Sequence, residues 1–369
     1  MKIIYLFITF LIIFYVGCGS NRSTVVKVSK KPDINISRKL VIPKDGEIYF
    51  GAYADFGHSE HNVTQKKIKD FENLALKKLA WVCISNNWSD GIIYPKAEID
   101  IIQKSACTPL VRMMPRSDNN QLNQKEDSNF TMQKIIDGKF DKALTKWAED
   151  AKKDDIPLLL DFAPEMTGFW FQWSGKYSGA GILDGYGDRS YPDGPERYRD
   201  AYRHIIDIFR KVGVKHVTWF FHPDIQRLPN VEWNSAKYYY PGDDYIDWIG
   251  LSIYGVQRVD DPWIYFSQAL KKQYMLVDEI TDKKPIAVLE FAVTDYHASG
   301  SKSAWLEDTF ASVLHNPYFD FKAINYWHED WINPGGKKTT LRIDSSTESL
   351  ETFKKLVSDK HFISKTRFH

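Results

Sequence analysis

The chain has 369 residues, with 49 Lys plus Arg against 48 Asp plus Glu and a formal net charge of +1. The near-neutral balance and the lack of a long basic run argue against a nucleic-acid partner, and the length suits one large α/β domain. Aromatic residues make up 15% of the chain, including 12 Trp, and rings left over from the core would serve a carbohydrate cleft.

Lys2 opens an uninterrupted apolar run from Ile3 to Val16, followed by Gly17, Cys18, Gly19 and Ser20. The run is too short to span a bilayer comfortably and has the order of a secretory signal: basic start, apolar middle, small residues at the exit. Val16-Gly17-Cys18 resembles a bacterial lipobox, which implies cleavage before Cys18 and a lipid on its thiol. An ordinary signal peptide with an incidental cysteine is the alternative. Residues 1–17 are thus read as a lipoprotein signal peptide. Residues 18–43, rich in Ser, Lys and Asn, are read as a flexible tether, and 44–369 as a single domain. A lipid would hold the protein at a membrane surface without a spanning helix. Gly19 gives no inner-membrane retention signal, so the expected place is extracytoplasmic, at an outer membrane or cell surface.

Eight strand-like runs follow: Ile48–Ala54, Leu79–Ser85, Pro109–Met114, Pro157–Ala163, His216–Phe221, Trp248–Tyr254, Pro285–Phe291 and Lys322–Trp327. Most are near-continuous apolar runs, as expected for strands covered on both faces. Amphipathic stretches separate them: Thr64–Lys78, Lys96–Ser105, Met132–Lys153, Pro195–Val212, Asp261–Val277 and Ser301–Leu314, with Ser349–Ser358 as a closing helix. This alternation predicts a (β/α)₈ barrel, with a doubly wound open sheet as the alternative. No G-x-G-x-x-G follows the first strand and no phosphate-binding loop motif is present, so a nucleotide fold lacks its signature. Cys83 and Cys107 would sit at opposite ends of adjacent parallel strands, which predicts two buried thiols rather than a disulfide. Long loops follow the fourth strand (Trp170–Gly194) and the fifth (His222–Asp243), on the face where barrels build their sites.

Two strands end in a carboxylate. Pro157–Ala163 runs into Pro164 and Glu165, with Trp170 and Trp173 close behind, and Pro285–Phe291 carries Glu290. In a barrel both would point into one mouth. An acid beside flat rings suits sugar chemistry: Glu165 as general acid and then base, Glu290 as nucleophile. A retaining mechanism needs the two carboxyls about 5–5.5 Å apart. Two nearby carboxylates also push their pKa values apart, so that one stays protonated while the other attacks.

Glu165-Met166, Gly168, Trp170 and Trp173-x-Gly175 resemble the acid/base segment of glycoside hydrolase family 26. Tyr239-Tyr240-Pro241-Gly242-Asp243-Asp244-Tyr245-Ile246-Asp247-Trp248-Ile249-Gly250 and Ile253-Tyr254-Gly255 resemble that family's approach to, and exit from, its sixth strand. Lys284-Pro285-Ile286 through Glu290 resembles its nucleophile strand, and Trp327 the aromatic after strand eight. The similarity runs from about Phe50 to Trp331. It implies a secreted, retaining (β/α)₈ hydrolase of β-linked polysaccharide, most often mannan and less often mixed-linkage glucan or xylan, with no metal or organic cofactor. It also implies that the Tyr254 hydroxyl bonds the nucleophile and that Trp327 forms the floor under the sugar. Four positions depart from the pattern. Pro164 stands where the family usually has His, Thr167 where it has Asn and Ser252 where it has Asp, and Trp219–Asp224 replaces a Trp-x-x-x-Asn ending.

The expected site is therefore Glu165 and Glu290 for catalysis, with Trp170, Trp173, His222, Tyr254 and Trp327 as sugar contacts. Arg112 is expected in a buried ion pair inside the barrel. His58 and His61 would be solvated or rim the cleft, since no zinc-binding spacing joins them to His222. The leading function is an endo-acting β-1,4-mannanase. The alternatives are a β-1,3-1,4-glucanase or β-xylanase of the same fold, and a carbohydrate-binding surface lipoprotein that has lost turnover. A monomer is the default.

Overall fold

Each apolar run in the sequence becomes a strand whose two faces are both covered. In the computed structural model, which describes residues 38–118, 125–316, 319–333 and 336–369, these are β1 (Ile48–Ala54), β2 (Trp81–Asn87), β3 (Thr108–Met114), β4 (Leu158–Phe162), β5 (Val217–Phe221), β6 (Trp248–Ser252), β7 (Ile286–Phe291) and β8 (Phe321–His328). Every residue of β1, β3 and β8 is buried, which is why they read as continuous rather than alternating runs.

The strands pair in parallel in chain order, and β1 closes the circle on β8 from Tyr49↔Ala323 to Ala54↔His328. This is the (β/α)₈ barrel rather than the open sheet. The helices are α1 (Gln65–Ala75), α2 (Lys96–Lys104), α3 (Met132–Ile136), α4 (Asp141–Asp154), α5 (Asp193–Val212), α6 (Ala236–Tyr239), α7 (Phe266–Asp278), α8 (Lys302–His315) and α9 (Thr347–Val357). Side-chain oxygens of Thr64, Thr131, Ser301 and Ser346 cap four of them by accepting first-turn N–H groups, the usual remedy for orphan donors at a helix start. A short hairpin, β9 (Asp330–Ile332) with β10 (Lys338–Thr340), stands beyond β8, and β11 (Phe362–Ile363) adds beside the start of β1.

The stretch expected as one helix over Met132–Lys153 is two. Gly138, at φ +71°, lies in the break between α3 and α4, in the left-handed region that glycine enters without strain. The boundary read at Pro43 also moves. Lys39 pairs with Asp247 at 2.6 Å, the Leu40 amide donates to Thr218 Oγ1 at 2.8 Å, and Leu40 bridges to Phe368. The residues from 38 to 43 are thus fastened at the N-terminal ends of β5 and β6. Cys83 and Cys107 are free and buried. Residues 1–37, with Cys18, lie outside the described residues. Among those described, no helix is long and apolar enough to cross a membrane.

Inside the barrel the packing is tight where β1 meets β2. Trp81 lies over Gly51 and its indole N–H donates to Asn325 Oδ1 at 2.9 Å. A Cβ on Gly51 would sit 2.0 Å from Trp81 Nε1 and 2.8 Å from Asn325 Oδ1. Gly51→Ala should therefore destabilise the barrel by about 2 kcal/mol or more, as overpacking does. Urea unfolding should show a lower midpoint at unchanged slope, and an unchanged midpoint would mean that the Trp81 contact yields freely.

Candidate active site

The β6–β7 register sets the position of Glu290. The pairing slips between Leu251 and Ser252, so Ser252 lies opposite Glu290, and the Ile253 amide donates to the Glu290 carbonyl at 2.8 Å. The Glu290 side chain, 4% exposed, accepts a hydrogen bond from the Tyr254 hydroxyl at 2.9 Å on Oε2 and from Arg112 Nη1 on Oε1. Arg112, on β3, is buried and reaches the other way as well: its Nη2 donates to Glu60 and to Ser85 Oγ. Glu60 also accepts from the Ser85 hydroxyl at 2.5 Å and lies 3.6 Å from Arg116.

The electrostatics follow from this clamp. Burial pushes the Glu290 carboxyl up to about 7. Arg112, His222 and the Tyr254 hydroxyl pull against it, and Glu165 adds to the rise. At Glu60 burial also pushes upward, but Arg112, Arg116 and the Ser85 hydroxyl outweigh it and hold the group below the ordinary carboxylate range.

Glu165 follows β4 through two residues with positive φ, Ala163 at +48° and Glu165 itself at +56°. Non-glycine residues pay for that region, and the surroundings hold it. The Glu165 amide donates to the His222 carbonyl at 2.6 Å, and the Tyr198 hydroxyl donates to the Phe162 and Ala163 carbonyls. The carboxylate, 7% exposed, accepts from Trp170 Nε1 at 2.7 Å. Gly168 makes this possible, since a Cβ there would strike the Trp170 ring at 2.2 Å. The loop after β4 is tied to the loop after β5 where the Leu228 amide and Asn234 Nδ2 both donate to the Thr167 carbonyl.

The structure brings Glu165, Glu290, Trp170 and Tyr254 together at the C-terminal mouth and removes three expected sugar contacts from it. His222 is fully buried. Nδ1 is 2.6 Å from Asp161 Oδ2 and Nε2 is 2.9 Å from Ser252 Oγ, so neither ring nitrogen is open to a ligand. Trp173, 1% exposed, donates to the Pro164 carbonyl at 2.7 Å and stacks on Phe171, which makes it a pin for the loop. Trp327 is 4% exposed. Tyr53 stacks on it at 4.0 Å and the Arg112 guanidinium lies 4.5 Å from its centroid, so little of the ring is left to serve as a floor. Arg112 takes its expected place in a buried ion pair, with two carboxylates rather than one. His61 Nδ1 lies 3.1 Å from the Ser59 carbonyl. Among the described residues no group of three His, Cys, Asp or Glu side chains is placed to hold a metal ion.

Several members of the site carried no separable signal in the sequence. Glu60 lies in the loop after β1, with no apolar run leading to it. Asp161 lies within β4, where only a charge inside an apolar run hinted at a buried partner. Asp224 follows β5, as Glu165 follows β4, and is pushed well above the carboxylate range by burial and by Glu165. Glu329, after β8, rises to about 8 through burial and the Glu60 charge.

The sequence profile of glycosyl hydrolase family 26 matches residues 113–296, the stretch that holds both carboxylates and Tyr254. Endoglucanase H of Acetivibrio thermocellus is 27% identical over 297 residues. The match spans 80% of this chain and 29% of that protein. Among solved structures, the catalytic domain of the family 26 endo-β-1,4-mannanase of Bacillus sp. JAMB-750 superposes with a TM-score of 0.58 at 15% identity, covering 86% of this chain and 87% of that one. GH26C of Muricauda sp. MAR_2010_75 gives 0.59 at 13% identity over 86% and 87%. At such identities these structures speak for the fold alone, and fold, profile and relative agree: the chain belongs to glycosyl hydrolase family 26.

Proposed function

We propose that this protein is a retaining, endo-acting glycoside hydrolase of β-1,4-mannan. The observation that carries the reading is Glu290, a buried carboxylate held by a guanidinium and a tyrosine hydroxyl and electrostatically coupled to a second carboxyl, Glu165, beside an indole. In the forward step Glu165 protonates the glycosidic oxygen while the Glu290 carboxylate attacks the anomeric carbon, forming a glycosyl ester and releasing the leaving sugar. In the second step Glu165 takes a proton from water, which attacks the same carbon and frees Glu290. The Tyr254 hydroxyl and Arg112 keep the attacking oxygens oriented, and Trp170 orients the Glu165 carboxylate.

Mannan is favoured by the mannanases that share the fold. A β-glucan is the second reading. It is supported by the name of the endoglucanase relative and by Pro164, Thr167 and Ser252, which change the polar groups near the reacting sugar. The retention of two buried carboxylates argues against a protein reduced to binding, since an unused buried charge is costly. We further propose that the lipobox-like Val16-Gly17-Cys18 anchors the enzyme by a lipid on Cys18, outside the cytoplasm.

Release of reducing ends from galactomannan, glucomannan, mixed-linkage glucan and xylan tests the assignment. Glu290→Ala should lower cleavage of the preferred polymer about 10⁴-fold or more, as removal of a nucleophile does. Glu165→Ala should cost about 10²–10⁴-fold on polymer, and much less on an aryl glycoside whose leaving group needs no proton. If both variants lose the aryl glycoside equally, the roles are wrong.

Because Glu290 must be ionised to attack, kcat/KM should fall as pH drops through about 7. Tyr254→Phe removes a donor that favours the ionised form. That variant should move the acid limb to higher pH and lower kcat/KM about tenfold, and a limb that stays in place would separate Tyr254 from Glu290. For the anchor, Cys18→Ser should abolish metabolic labelling with radioactive palmitate and shift the protein from the membrane to the soluble fraction. Labelling that persists would rule out lipid on that thiol.

A further inference from the structure

We propose that Asp161, His222 and Ser252 form a buried positioning chain that couples the backbone of Glu165 to the carboxylate of Glu290. The proposal rests on the reading of those two glutamates as the catalytic pair.

All three residues have no exposed surface, and they come from three neighbouring elements: Asp161 from β4, His222 from the end of β5 and Ser252 from the end of β6. The His222 ring spans them, with Nδ1 donating to Asp161 Oδ2 at 2.6 Å and Nε2 at 2.9 Å from Ser252 Oγ. The main chain of the same residue accepts the Glu165 amide at 2.6 Å, the contact that holds Glu165 at positive φ. On the far side Ser252 is the β6 residue opposite Glu290. Its backbone is stitched to the segment after His222 by Ser252 N–H to the Pro223 carbonyl at 3.3 Å and Ile225 N–H to the Ser252 carbonyl at 3.1 Å. One residue thus reaches both sides: its carbonyl holds the Glu165 amide, and its ring touches Ser252, the β6 residue opposite Glu290. Pro164, next to Glu165, has no side-chain donor to do this.

The chain also carries charge. Asp161 Oδ1 is buried without a hydrogen-bond partner, so the carboxylate depends on the ring at its other oxygen. A buried anion of this kind needs a cation. Burial works against the imidazolium, but Asp161 outweighs it and raises His222 above its ordinary value, with Glu290 and Glu165 adding to the rise. The groups acting on the ring are therefore Asp161 on β4, Glu165 after β4 and Glu290 on β7. Behind them, Arg112 on β3 acts on Asp161 and Glu290, Asp224 after β5 on Glu165, and Tyr254 after β6 on Glu290. The resulting positive charge lowers the carboxyl of Glu290 and so favours its attacking form. A residue that only filled space would leave that titration unchanged.

The test uses the whole protein and NMR titration, which needs no turnover. Nitrogen-15 histidine spectra should show His222 protonated on both ring nitrogens at neutral pH. In Asp161→Asn, which keeps the shape and an acceptor for Nδ1–H, the ring should be neutral. The Glu290 carboxyl, followed by carbon-13, should then titrate about half a pH unit or more higher. Ser252→Ala should move Glu290 the same way by less, and Ser252→Thr should restore it. With the preferred polymer, kcat should fall several-fold with KM nearly unchanged. A neutral His222 in the natural protein, or an unmoved Glu290 titration in folded Asp161→Asn, overturns the proposal. Should Asp161→Asn fail to fold, the Ser252→Ala titration decides alone. A protein that cleaves nothing yet shows the Glu290 shift would refute the hydrolase reading and keep the chain.

Discussion

One guanidinium between two buried carboxylates sets the terms for the rest of the mouth. Arg112 is taken out of water on β3 and shared by Glu60 and Glu290, and a buried charge in that position must stay paired. Arg116 stands beside the same Glu60 at 3.6 Å, and the His222 ring is 2.6 Å from Asp161. Asp224 and Glu329 are pushed toward their neutral forms by burial and by neighbouring negative charge. At Glu290 burial raises the carboxyl, and Arg112 and His222 pull against it. The guanidinium therefore favours the ionised form of Glu290, the form that double displacement needs for attack.

Geometry serves the same end. A slip in the β6–β7 register puts Ser252 against Glu290, and two residues at positive φ, Ala163 and Glu165, turn the chain at the end of β4. Neither feature is favourable locally. They persist because hydrogen bonds donated by Tyr198 and Ile253 and one accepted by the His222 carbonyl over-determine them, as strain at a functional site requires. The buried Trp173 then acts on the backbone just before Glu165, while Trp170 acts on its carboxylate. Two tryptophans that look alike in the sequence hold adjacent residues, Trp173 the Pro164 carbonyl and Trp170 the Glu165 carboxylate.

The residues around the two carboxylates become coherent in this light. Pro164 offers no side-chain donor and Ser252 offers only a hydroxyl, while Asp161 and His222 supply a buried pair in the same neighbourhood. The imidazole lies one layer below the mouth rather than in it. It can act on the carboxylates without meeting the sugar.

The sequence by itself determined the barrel and the two glutamates. Strands buried on both faces must be continuous apolar runs, and a carboxylate ending such a run stands out locally. It also pointed to the hydrogen bond from Tyr254 to Glu290 and to the buried ion pairs of Arg112, through a motif and through a charge inside an apolar strand. Only the tertiary structure decided what His222, Trp173 and Trp327 touch, because a ring at a strand end can turn outward to a sugar or inward to a partner. That choice depends on partners far away in the chain: Asp161 for His222, Pro164 and Phe171 for Trp173, Tyr53 and Arg112 for Trp327. Glu60 entered for the same reason, since a loop carboxylate has no local pattern, and it becomes part of the site only when the closed barrel brings the loop after β1 to Arg112 on β3, across β2.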